Sequence, residues 1–173
     1  FKCLLFLGSG SVSHATGTFD MRYMGGLWRR MPWTYGTFLI AGLSLAGIFP
    51  LAGFWSKDEI LFEALKGGST ASESLSLVLF AFAAVGVFLT SFYIFRVIFM
   101  TFHGEFRGGV DADPNPIEGE HHVHLAESPL VMVGPMVVLG CAAAVGGFLL
   151  NPASSAWGFG FIPAHWLSEF LGA

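Results

Sequence analysis

An apolar run from Gly36 to Leu61 is interrupted by Gly47, Pro50 and Gly53, and then leads straight into Ser56-Lys57-Asp58-Glu59. No other feature constrains the chain so tightly. Proline lacks the N–H that a helix needs, and its ring collides with the carbonyl four residues earlier. In lipid, unpaired backbone groups and charges cost several kcal/mol each. A broken apolar helix with ionisable residues beside the break is therefore rare in a bilayer, and it recurs where ions or protons cross one.

The rest of the chain fits a bilayer solvent. Its 173 residues are 54% hydrophobic and only 12% charged, about half the roughly 25% charge of soluble domains. Two segments, Leu75 to Phe102 and Pro129 to Leu150, are clean spans by the criterion of about 20 apolar residues. Residues 33–66 read as the discontinuous helix, and residues 1–13 as the second half of a truncated one. The expected fold class is all-α: polytopic transmembrane helices, one of them broken near Gly47–Ser56. Between the spans lie a polar connector (14–32), a glycine turn at Gly67 and Gly68, and an acidic loop (103–128). An aromatic interfacial tail (151–173) carries Trp157 and Trp166. Arg22, Arg29, Arg30 and Arg107 fall on one face, and Arg96 snorkels toward it. The positive-inside rule places that face in the cytoplasm or the matrix. Lys2 before an apolar run also has the outline of a signal peptide, but the later spans make that reading unnecessary. Cys3 and Cys141 lie in apolar runs and read as buried, inert thiols. No phosphate loop, nucleophile triad or nucleic-acid surface is present in the sequence.

Four residues are candidates for moving protons: Lys2, His14, Lys57 and Asp58. Ser56-x-x-Glu59 has the form of a capping box, which predicts that a new helix starts at Lys57 while the first half-helix ends near Gly47. The positive end of the new helix dipole would then sit beside the Lys57 ammonium. Lys57 and Asp58 are adjacent and point apart on a helix, so Lys57 needs a carboxylate or water chain from elsewhere. The alternative is that Lys57, Asp58 and Glu59 are solvated at a membrane surface. Lys2 lies about 18 Å of helix from His14, near the midplane of a core about 30 Å thick, or else it anchors a short helix. His14 is either an interfacial histidine or a transfer group between helix and loop. Arg96 reads as an interface anchor, and His121, His122 and His124 as solvated loop residues rather than metal ligands.

Three stretches carry a resemblance. Phe1-Lys2 through His14, Asp20-Met21-Arg22 through Leu27, and Ala46 through Leu61 resemble the L-type subunit of NADH–quinone oxidoreductase, the largest antiporter-like membrane subunit of respiratory complex I. Ser91 to Arg96 and Phe102-His103-Gly104 fit more loosely. The resemblance implies an internal piece of a proton-translocating subunit driven by quinone reduction elsewhere, with no cofactor in this chain. It implies other complex I membrane subunits and the lipid bilayer as partners. It also implies a bacterial plasma membrane or a mitochondrial inner membrane as location. It makes Lys2 the lysine of a half-channel helix, Lys57 and Asp58 the charged pair of the broken helix near an exit route, and His14 a junction histidine. Asp20 and Arg22 fall in a structural loop motif. Two departures stand out: Phe49 replaces a second proline, and Phe19 replaces a polar residue. The family's glutamate–lysine pair would lie upstream of Phe1.

Two other functions compete with this one. The large subunit of a multi-subunit sodium/proton antiporter shares the helix arrangement. A purely structural membrane module would place Lys2 and Lys57 in water or headgroups, whereas a pump buries both beside polar groups.

Overall fold

The computed structural model describes residues 1–66, 73–114, 123 and 125–150. Five helices carry the fold: α1 (Lys2–Thr16), α2 (Pro32–Ala46), α3 (Ala52–Lys66), α4 (Glu73–Phe102) and α5 (Leu130–Leu150). No strand occurs among the described residues. Helices α4 and α5 contain stretches, 74–102 and 130–147, long and apolar enough to cross a membrane. Helices α2 and α3 are the two halves of the broken element, separated by residues 47–51. The expected turn at Gly67-Gly68, the tail from Asn151, and His121, His122 and His124 lie outside the described residues.

Helix α2 is the centre of the bundle and packs against each of the other four helices. Pro32 opens it, where its fixed φ suits a first turn and its missing N–H costs nothing. Small residues then let neighbours close in. A Cβ on Gly42 would lie 2.7 Å from Ile98 Cδ1 of α4, and one on Gly8 of α1 would lie 2.6 Å from the Phe38 ring. Glycines that let a neighbouring side chain seat against the helix backbone serve close packing where lipid removes the hydrophobic driving force. Phe38, Leu45 and Ala46 join Val12, Leu27, Ile94, Ile98 and Phe102 in one buried cluster. A smaller cluster holds Leu4, Ala41 and Met136.

The end of α2 is encoded locally. Gly47 adopts φ 84°, a left-handed conformation that glycine reaches without strain. The Ile48 N–H donates to the Leu43 carbonyl and the Gly47 N–H to that of Ser44, each at 3.1 Å. This is the Schellman arrangement.

Two expectations need correction. The second half-helix starts at Ala52, not Lys57, so Ser56 is no N-cap: its hydroxyl instead donates to the Gly53 carbonyl at 3.3 Å. The physical cause is that the first turn of α3 is capped from another helix, as described below, which makes a local capping box unnecessary. Cys3 and Cys141 are exposed, not buried. They lie on outward faces of α1 and α5, away from the small cluster of Leu4, Ala41 and Met136.

The tightest contact in the bundle is at the break. A Cβ on Gly53 would lie 1.7 Å from the Ser44 carbonyl oxygen. Gly53→Ala is expected to cost about 3 kcal/mol by forcing backbones apart, read as a lowered thermal midpoint of the protein in nanodiscs. Gly36→Ala has open space around its Cβ and is expected to be neutral or to stabilise by up to about 1 kcal/mol.

Candidate functional site

A helix leaves its last four carbonyls without intrahelical partners, and in α2 these end inside a membrane protein. Three of them have a donor of their own, and the fourth shares one. The Schellman turn takes those of Leu43 and Ser44. The Lys57 amine of α3 donates to the carbonyl of Leu45. The Ser91 hydroxyl of α4 lies 3.2 Å from the carbonyl of Ala46 and 3.0 Å from that of Val87 in its own helix, so its one proton is shared between the two. The start of α3 is served in return: the buried Gly53 N–H donates to the Ser44 hydroxyl of α2 at 3.0 Å. Each half-helix thus caps the other across the break. The outside of the joint is closed by Phe49, Phe54 and Trp55, whose rings meet edge to face. The Trp55 indole N–H donates to the Pro50 carbonyl at 3.1 Å.

Lys57 is therefore half-buried, in the second turn of α3, with its stem against Gly47. The dipole end it meets is the negative end of α2, opposite in sign to that expected from a helix starting at Lys57. No carboxylate among the described side chains pairs with it, and Asp58 is exposed and points elsewhere. A lysine amine has an N–H to give to Leu45 whether charged or neutral. When neutral it also has a lone pair for a proton from water.

Lys2 and His14 occupy the two ends of α1, and both are exposed on this segment. The contacts Ser11–Thr34 and Gly8–Phe38 fix an antiparallel register between α1 and α2. Continued along α1, that register sets Lys2 level with Leu43, only two residues from the carbonyl that Lys57 holds. The structure thus brings the two lysines to one level while placing His14 at the far end with the connector. On this segment Lys57 is half-buried and Lys2 exposed.

Several participants escaped the sequence reading. Ser44, Ser91 and Ser11 are hydroxyls within otherwise apolar helices, a signal worth following where water is excluded. Thr34 and Glu127 gave no such signal, because their contact spans 93 positions: the Thr34 hydroxyl donates to Glu127 Oε1 at 2.5 Å. Glu127 Oε2 accepts the Trp33 N–H at 2.9 Å. Near the same end, the Tyr35 hydroxyl lies 3.2 Å from His103 Nε2.

The connector is held separately. Asp20 accepts from the Arg22 backbone and guanidinium, and this contact holds its carboxyl below the usual carboxylate range. A depressed carboxylate contributes above its unfolded value of about 3.9 and is lost only as pH falls through the lower folded value. The pair is therefore indifferent to pH near neutrality. Thr18 donates to Asp113 beside it.

Residues 1–90 match the family model described as NADH:quinone oxidoreductase/Mrp antiporter, transmembrane. The chain is 42% identical, over 91% of its length, to NAD(P)H-quinone oxidoreductase chain 5 of Picosynechococcus, of which it covers 25%. It is 42% identical, over 80% of its length, to NADH-quinone oxidoreductase subunit L of Rickettsia bellii, covering 19% of that protein. Over its full length it is 38% identical to subunit L of Mycobacterium tuberculosis, covering 24%. The chain spans about a quarter or less of the length of these curated relatives.

Ser44→Ala leaves the buried Gly53 N–H without its acceptor. The expected cost is about 1–3 kcal/mol, visible as faster hydrogen exchange at the Gly53 amide than in the parent.

Proposed function

The chain belongs to the NADH:quinone oxidoreductase/Mrp antiporter transmembrane family, and from that premise we propose that it is the part of a complex I antiporter-like subunit in which a broken helix passes protons through Lys57. The observation that carries this reading is the seat of the Lys57 amine, held on the Leu45 carbonyl at the joint between α2 and α3. A lysine fixed inside a helix break, on an integral membrane scaffold, has a positioned amine and a backbone rich in polar groups around it. Such a site can take up and release one proton without rebuilding the bundle, because the bond to Leu45 survives in either charge state.

In the proposed mechanism Lys2, level with this joint, exchanges protons with Lys57 through water. Asp58, exposed on another face of α3, offers an acceptor that is reached through water. His14 serves the connector end of α1. Quinone reduction elsewhere in the complex drives the cycle by changing the field at these charges, and the neighbouring membrane subunits complete the path. The names of the relatives favour the quinone-linked complex over a sodium/proton antiporter. This chain's own residues supply only proton carriers.

The test substitutes Lys57→Ala and Lys57→Arg in the full-length subunit, and measures proton translocation and quinone reductase activity in the same vesicles. Both variants are expected to assemble and to lose translocation, since a placed proton-transfer group is worth about 100-fold or more and arginine stays charged. Normal translocation in both variants sinks the relay through Lys57.

A further inference from the structure

The bond from Lys57 to Leu45 joins two separate helices, so something must hold them in register. At the break itself Ser44 and Gly53 tie the two together, and a second set of contacts holds each half from outside. That second set is at the two ends of α5.

At its start, Glu127 reaches the amino end of α2. Its two carboxylate oxygens accept the Trp33 N–H and the Thr34 hydroxyl. Met31, the N-cap residue of α2, makes no side-chain cap, so Glu127 performs that role from another element. The carboxylate also meets the positive end of the α2 dipole. Thr34 is in turn tied to Ser11 of α1 at 3.1 Å, and Ser11 to Ser128 at 2.5 Å. Donor bookkeeping orients this chain. The Thr34 proton is committed to Glu127, so Ser11 must donate to Thr34, and Ser128 to Ser11. Every hydroxyl proton in the cluster points toward Glu127, and Ser11 and Thr34 are fully buried.

At its other end, α5 seats the start of α3. A Cβ on Gly147 would lie 2.4 Å from Ala52 Cα and 2.8 Å from Trp55 Cδ1. Gly147 is thus the point where α3 rests on α5 backbone to backbone. Helix α2 is about 22 Å long at 1.5 Å per residue, with a carboxylate from outside on its amino end and an ammonium from outside on its carboxyl end. Helix α5 runs beside it and fixes both α2, through Glu127, and α3, through Gly147.

We propose that Glu127 and Gly147 are positioning residues for Lys57, with α5 acting as the spacer that sets the Leu45 carbonyl against the Lys57 amine. This rests on the proton-relay reading for its consequence in translocation, but its geometry stands independently and is tested independently.

The experiment uses the assembled complex in membranes. Acetic anhydride is added, and acetylation of Lys57 relative to Lys2 is followed by mass spectrometry in the parent, Glu127→Ala, Glu127→Gln and Gly147→Ala. Acetylation of Lys57 is expected to rise about fivefold or more in Glu127→Ala and Gly147→Ala, since each frees the amine from its carbonyl. It is expected to stay near the parent rate in Glu127→Gln, whose amide oxygen still accepts the Trp33 N–H. If Glu127→Ala does not assemble, Thr34→Val takes its place, deleting one of the two bonds to Glu127 at nearly constant volume. Unchanged Lys57 acetylation in the assembled variants overturns the proposal. Normal translocation by Lys57→Ala itself, with acetylation changed as expected, leaves the positioning intact and removes only the relay.

Discussion

The joint between α2 and α3 rests on one requirement: four helix-terminal carbonyls have to be paired where water is not freely available. Gly47 solves half of it by turning left-handed, and the other half is handed to side chains from elsewhere. An amine from α3 takes one carbonyl, and a hydroxyl from α4 divides its proton between the other and its own helix. The first turn of α3 has the complementary need for an acceptor and finds it in Ser44 of α2. The amine that is a candidate proton carrier is therefore also a structural cap. Its position follows from hydrogen-bond accounting rather than from a dedicated pocket.

The same accounting runs to the other end of α2. There the unpaired groups are donors, and the partner is a carboxylate that lies far away in the chain. Helix α2 thus has opposite charges from two other elements at its two poles, each of the sign that its dipole favours. Phe38 and Leu45 bury the length between them, and Gly8 and Gly42 allow the neighbours to come close enough for those contacts to form.

What could be read from the residues divides along the same line. Gly47 ends a helix and Pro32 opens one through their own backbone preferences, so both boundaries were legible. The apolar runs of α4 and α5 were legible because solvent alone dictates them. The motif Ser56-x-x-Glu59 misled, because a local cap competes with a distant one. Ser44 and Lys57 won by lying on opposite sides of the break, a relation that exists only after α3 has docked. Glu127 gave no sign of its role for the same reason, since its partners Trp33 and Thr34 lie more than ninety positions earlier. The exposure of Cys3 and Cys141 was missed because an apolar run does not show which of its faces meets the rest of the bundle.

The reciprocal caps also bear on how the protein enters its membrane. Alone in lipid, α2 would expose the carbonyls of Leu45 and Ala46, and α3 would expose an amide of its first turn. Neither half is a competent insertion unit. The pair satisfies all but the Ala46 carbonyl, which gains a donor only once α4 brings Ser91 alongside. The three helices are therefore expected to settle in lipid together rather than one by one. The break that gives the segment its candidate chemistry also sets the smallest piece of chain that lipid accepts.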